Sequence, residues 1–134
     1  MATVELRFSA LPEHVRTARL VAAAVARRAG VDEAVLDEVR LAVGEACTRA
    51  VGLHQDAGID APVQVQLIEE EKQFSIVVGD EAPRSAPDAV GSGEDAESED
   101  DMGLAVISGL VDDVEVTSDP SGGAIRMTWP TPAP

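Results

Sequence analysis

The sequence predicts an α+β protein, a two-layer sandwich in which helices cover one face of a mixed, mostly antiparallel β-sheet. Three observations support this fold class: strand-like alternation at both ends, two long segments with helical apolar spacing, and a length of 134 residues that suits one compact domain. Apolar residues form 45% of the chain but aromatic residues only 2%, so the core must be aliphatic. We expect a single domain over residues 1–134.

The first strand and the first helix follow directly from residue spacing. Val4, Leu6 and Phe8 alternate with polar residues, which predicts a half-buried strand over residues 3–8. Apolar residues then recur at helical spacing over residues 12–29, and Gly30 is a typical stop signal.

A second helix is predicted from the N-cap Asp32 to about Leu53. Acidic residues follow Asp32, where the helix dipole favours negative charge. Glu38, Glu45 and Arg49 fall on a face where polar chemistry could occur. The opposite, buried face comprises Val35, Val39, Ala42 or Val43, Ala46 and Ala50.

The second half of the chain predicts strands around one short helix. A turn-rich segment over residues 54–62 precedes two alternating runs, 63–68 and 74–78, which predict an antiparallel hairpin that turns at Lys72. The remaining expected elements are a helix over 102–110 and strands over 114–117 and 124–129. Together these elements give a sheet with helices on one face.

Two segments lack the apolar content of folded elements. Residues 81–101 are rich in Pro, Gly, Ser, Ala and acid, which predicts a mobile acidic lid. Prolines dominate residues 130–134, which are expected to form a disordered tail.

Charge and cysteine content restrict the classes of function. The chain has 25 acidic and 10 basic side chains, a formal net charge of −15, which argues against direct nucleic-acid binding. The acidity fits either solubility or attraction of a basic protein partner. Cys47 is the single cysteine, which excludes an internal disulfide and a multi-cysteine metal site. The N-terminus lacks signal-peptide features, and no run reaches the roughly 20 apolar residues of a membrane helix, so a cytoplasmic protein without membrane contact is expected.

Three local strings carry a family resemblance. They are LDEVRLAVGEACTRAV (residues 36–51), SIVVGDEAP (75–83) and DMGLAVISGLVDDVEVTS (101–118). With the predicted element order, they resemble the N-box helix, the adenine-binding strand and the G-x-G-L helix of RsbW-like anti-sigma factors. This family of serine-protein kinases has the GHKL, or histidine-kinase-like, ATPase fold.

The resemblance implies a role for several residues. Glu45 matches the catalytic base that would act on a serine hydroxyl of a protein substrate, and Asp80 matches the carboxylate that accepts a hydrogen bond from adenine. Gly103 and Leu104 match the phosphate-binding helix. Arg49 stands where the family places the asparagine that helps to hold magnesium.

Departures from the family motifs predict a degenerate nucleotide site. A guanidinium cannot ligate a cation, and its spacing from Glu45 predicts an ion pair that would leave only a vestigial base. Both glycines of the family's adenine-binding box are absent, since Glu81, Ala82, Pro83 and Arg84 follow Asp80; Ala82 adds a methyl group and Pro83 fixes its own φ. Asp101 replaces the first glycine of the third motif and places a carboxylate at the positive end of a helix. No metal ligands are assigned, and ATP with magnesium is expected to bind weakly or not at all.

The leading hypothesis is an anti-sigma-factor-like regulator that switches between a sigma factor and a STAS-domain anti-anti-sigma factor. The resemblance also implies a homodimer. The alternatives are an active serine kinase that phosphorylates the STAS partner, and an acidic scaffold that has only kept the fold. The basic side of the first helix, with Arg16, Arg19, Arg27 and Arg28, is either a docking surface or a solvated flank.

Three further residues are interpreted structurally. His54 is expected to cap a helix or lie on the surface rather than bind metal. Cys47 is expected to be a small buried helix residue, and Trp129 to cover the core.

Overall fold

The computed structural model describes residues 2–82, 99–111 and 113–132. The elements are β1 (Ala2–Phe8), α1 (Glu13–Ala29), a short 3-10 turn (Glu33–Val35), α2 (Leu36–Ala57), β2 (Val63–Glu70), β3 (Gln73–Asp80), α3 (Glu99–Leu110), β4 (Asp113–Asp119) and β5 (Gly122–Pro130). The five strands form one sheet in the order β1-β2-β3-β5-β4, and each described pairing is antiparallel. The α+β fold class is confirmed.

The core lies between the sheet and the helices and follows from strand alternation. Val63, Val65 and Leu67 of β2 are fully buried, whereas Gln66 between them is exposed. Helices α1 and α2 pack against each other and contribute mainly alanines and valines to this core. Small side chains on the helices keep the layers close, so apolar burial, at roughly 2 kcal/mol for each large aliphatic side chain, stabilises the fold.

Helix α2 begins and ends differently from the prediction. Asp32 caps the 3-10 turn, where its Oδ1 accepts a hydrogen bond from the Ala34 amide at 3.0 Å. The helix continues to Ala57 instead of turning at His54, and it ends where Gly58 adopts the left-handed conformation with φ of 65°. A glycine accepts this conformation without strain, so Gly58 supplies the stop signal.

The two segments expected to lack order have different bounds in the structure. Pro130 is still part of β5 and pairs with Gln73, and the Thr131 amide donates to the Lys72 carbonyl at 3.0 Å. A proline is tolerated at a strand end because only one ladder donor is lost. Helix α3 starts at Glu99, so the predicted lid extends three residues too far. The remaining parts of these two predictions, 83–98 and 133–134, lie outside the described residues.

At Gly122 the fold leaves no room for a side chain. It starts β5 with φ of 146°, and a Cβ atom there would overlap the carbonyl oxygen of Asp80 and lie 3.0 Å from the Cα of Glu81. The start of β5 therefore touches the backbone at the end of β3. A side chain at position 122 would separate them.

We predict that Gly122→Ala destabilises the protein by at least about 2 kcal/mol, because backbone strain and steric overlap act together. The matched control is Gly109→Ala, since nothing lies within 4 Å of a Cβ at that position of α3. Urea unfolding of both variants checks this. Equal stability of the two variants would show that the contact with Asp80 is not tight.

Candidate functional site

The three segments singled out from the sequence meet in one region of the fold. Helix α2, which carries Glu45 and Arg49, packs against both α3 and β3. Asp80 is the last residue of β3, and Gly103 and Leu104 belong to α3. The architecture therefore brings together the elements that the family motifs occupy.

Glu45 and Arg49 do not form the ion pair that their spacing predicts. Both side chains are half-buried on α2, and the ion pairs among the described residues do not include this one. The Nε atom of Arg49 is completely buried. This part of the Arg49 side chain therefore packs against the fold.

The side chain of the last residue of β3 binds the backbone that follows the strand. Asp80 is 8% exposed, and its Oδ1 accepts a hydrogen bond from the Ala82 amide at 3.1 Å. Ala82 is 3% exposed, so its methyl group is buried at a position where the family motif has a glycine. One oxygen of the expected adenine-binding carboxylate therefore already binds the backbone that follows it.

His54 has a role that the sequence interpretation missed. It is 0% exposed, neither a cap nor a surface residue, because the helix extends past it. Its Nδ1 lies 2.9 Å from the carbonyl oxygen of Ala61, and its Nε2 accepts a hydrogen bond from the Glu81 amide at 2.9 Å. One signal was available: His54 follows Ala50 and Val51 at the i+4 and i+3 positions of the same buried face.

Gly103 and Leu104 lie deeper in their helix than the motif predicts. Because α3 begins at Glu99, these two residues are in its second turn, and Asp101 is in the first turn. Amides in the second turn bond to carbonyls one turn earlier and are not the open donors of a helix start. Leu104 is half-buried and packs against the core.

Cys47 is a buried core residue, as expected. It is fully buried in α2, and desolvation by burial raises its pKa from the usual 9.0 to about 12. Trp129 is also buried, beside Phe74 at a ring-centre separation of 6.5 Å.

The described residues contain no group of three or more side chains suited to holding a metal ion. Within those same residues, no helix combines the length and apolar character needed to cross a membrane.

Comparison with known proteins defines the family. The model of the histidine kinase-like ATPase domain matches residues 8–129. The chain therefore belongs to the histidine kinase-like ATPase domain family, on its RsbW-like branch.

Curated relatives and a solved structure agree with this assignment. The chain is 30% identical over 136 residues to serine-protein kinase RsbW of Bacillus pumilus, covering 93% of this chain and 83% of the relative. It is 28% identical over 134 residues to serine-protein kinase RsbW of Bacillus subtilis, with the same coverages of 93% and 83%. A crystal structure of the RsbU and RsbW domains of a Mycobacterium tuberculosis protein shares the fold, with a TM-score of 0.70 and 16% identity over 99% of this chain and 34% of that one.

We predict that Cys47 resists alkylation in the folded protein at neutral pH. The thiolate is the reactive form, and burial raises the pKa of the Cys47 thiol to about 12, so the thiol stays protonated at neutral pH. Mass spectrometry after iodoacetamide treatment in buffer and in urea checks this. Native labelling as fast as labelling in urea would contradict the burial of Cys47.

Proposed function

We propose that this chain is an anti-sigma-factor-like regulator that binds a sigma factor and a STAS-domain anti-anti-sigma factor in alternation, with weak or no ATP binding. Membership of the RsbW-like branch supports the regulatory role. The hydrogen bond that Asp80 makes to the Ala82 amide carries the second half of the proposal. The proposal includes a homodimer, which the family resemblance implies.

The described residues fit a nucleotide poorly on the adenine side. Close approach of a base to the backbone after Asp80 needs a flexible residue there, but the Ala82 methyl is buried and its amide is bound by Asp80. Rearranging this loop would break that hydrogen bond, a cost of roughly 1 kcal/mol before any new contact forms. The buried backbone therefore opposes adenine binding.

The residues on the metal and phosphate sides also fit poorly. Arg49 offers only donors, so it cannot supply the oxygen ligand that magnesium requires. Asp101 adds negative charge to the first turn of α3, where phosphate would otherwise be attracted. No catalytic step is assigned to Glu45, because Arg49, four residues further along α2, cannot supply a metal ligand.

The second candidate function is an active serine kinase. Glu45, Asp80 and Gly103 are retained, and the curated relatives are named serine-protein kinases. In that case the loop after Asp80 would have to open when nucleotide binds. Phosphate transfer to a STAS-domain serine distinguishes the two candidates.

The partner surface that we propose lies on α1. Two of its arginines are engaged within the chain, Arg27 with Glu33 at 3.3 Å and Arg28 with Glu69 at 3.1 Å. Arg16 and Arg19 have no such ion pair among the described residues, so they are the better candidates for contact with a partner.

The Arg19 side chain passes close to a glycine on the neighbouring helix. A Cβ at position 44 would lie 2.8 Å from the Cδ of Arg19, so the absence of a side chain at Gly44 gives this arginine its path across α2. The adjacent Leu20 is 57% exposed, and Leu41 of α2 is 54% exposed. An exposed cation beside exposed apolar side chains suits a protein interface.

Reciprocal competition tests the proposed function. Purified sigma factors and STAS-domain proteins from the same organism are titrated onto the labelled chain, singly and together, in the absence of nucleotide. One protein of each class should bind, and each should displace the other. Absence of binding by either class would contradict the regulatory role.

We predict that Gly44→Ala lowers the affinity for the partner found in that titration severalfold. Its free energy of unfolding should stay within about 1 kcal/mol of the wild-type value. The added methyl moves the Arg19 side chain, and the helix gains from losing a glycine. Gly52→Ala is the matched control on the same helix, since nothing lies within 4 Å of its Cβ. Equal partner affinity in the two variants would show that Arg19 does not contact the partner.

We predict that Arg49→Asn raises affinity for Mg-ATP, and that adding Ala82→Gly and Asp101→Gly raises it further. The first change restores an oxygen ligand, and the others remove a buried methyl and a repelling carboxylate. Calorimetry measures nucleotide affinity, and partner affinity serves as the control. A folded triple variant that still fails to bind ATP while losing its partner would place Arg49 in the interaction surface instead.

A further inference from the structure

His54 joins three separate parts of the chain from the interior of the protein. It lies on α2 and is 0% exposed. One ring nitrogen contacts the carbonyl of Ala61, just before β2, and the other contacts the amide of Glu81, just after β3, each at 2.9 Å. Both polar atoms of the side chain are therefore used.

The two contacts determine the protonation state of the ring. A carbonyl oxygen can only accept, so Nδ1 must carry the hydrogen that it donates to Ala61. A backbone amide can only donate, so Nε2 must present its lone pair to Glu81. His54 is thus neutral and is the Nδ1–H tautomer. In an imidazolium, Nε2 would also carry a hydrogen, and this N–H would face the N–H of Glu81 with no acceptor between them.

Glu81, whose amide donates to His54, comes directly after Asp80, the residue that matches the adenine-binding carboxylate. The Glu81 amide is held by His54, and the next amide, of Ala82, is held by the Oδ1 of Asp80. On the other side, Gly122 packs against the Asp80 carbonyl. The backbone from Asp80 to Ala82 therefore has little freedom to move relative to α2.

We propose that His54 is a positioning residue that sets the Asp80 strand end relative to α2, the helix that carries Glu45 and Arg49. The proposal rests on the proposed function only in treating Asp80 as part of a nucleotide-type site. Loss of a buried partner leaves the Glu81 amide unsatisfied, so the strand end should loosen when the Nε2 acceptor alone is removed.

Two substitutions separate the two hydrogen bonds of His54. In His54→Asn, the amide nitrogen occupies the place of Nδ1 and keeps the bond to Ala61, but nothing reaches Glu81. In His54→Gln, the longer side chain brings an oxygen to the place of Nε2 and keeps the acceptor for Glu81. A residue that only fills space would respond similarly to both changes.

The test is amide hydrogen exchange at Glu81 and Ala82, measured by NMR in both variants. Protection of the Glu81 amide should fall at least about tenfold in His54→Asn and be largely kept in His54→Gln. His14→Gln is the control at the other histidine of the chain, on α1, and should leave both amides unchanged. Equal loss of protection in the Asn and Gln variants would overturn the proposal.

The tautomer provides a second, independent measurement. Long-range nitrogen–proton NMR spectra of the wild type should show the Nδ1–H form for His54, with the His14→Gln variant providing the assignment. A ring with its proton on Nε2 would overturn the proposal. Neither measurement involves nucleotide, so tight ATP binding would contradict the proposed function and leave this result unaffected.

Discussion

The site depends on the restraint of the backbone at the end of β3. Asp80 bonds to the Ala82 amide, His54 holds the Glu81 amide, and Gly122 packs against the Asp80 carbonyl. These contacts come from three elements that are distant in the sequence. They join the sheet to α2, which also packs against α3.

The scaffold and the chemistry of the site are separable in this protein. The aliphatic core and the five-stranded sheet depend on residues such as Val39, Leu67 and Ile76, which lie outside the motif positions that have changed. Arg49 and Ala82 sit within the same fold without disturbing it. A chain can therefore keep the family architecture when the residues at these motif positions differ.

Local patterns predicted the fold well because periodicity reports which side of each element is buried. Strand alternation identified β2 and β3 and their hairpin, and helical spacing identified α1 and α2. The predicted ends of the elements were less accurate. Helix α2 runs into the turn-rich segment and ends at Gly58, and β5 includes Pro130. Such ends depend on tertiary contacts that spacing does not contain.

The candidate site was only partly predictable, for a similar reason. The family strings predict roles for Glu45, Asp80 and Gly103, whereas the ion pair that the spacing of Glu45 and Arg49 suggests is not among those that the described residues show. The role of His54 depends on Ala61 and Glu81, and that of Gly122 on Asp80, across long stretches of chain. A single sequence does not reveal such pairings.

We propose that the chain keeps the family architecture but binds nucleotide weakly or not at all. The most direct measurement is an NMR titration of the wild-type chain with Mg-ATP, followed at the amides of Glu81, Ala82 and Leu104. The account predicts no saturable shift of these signals below millimolar nucleotide. Saturation in the low micromolar range, together with phosphate transfer to a STAS-domain serine, would contradict it and identify the chain as an active kinase.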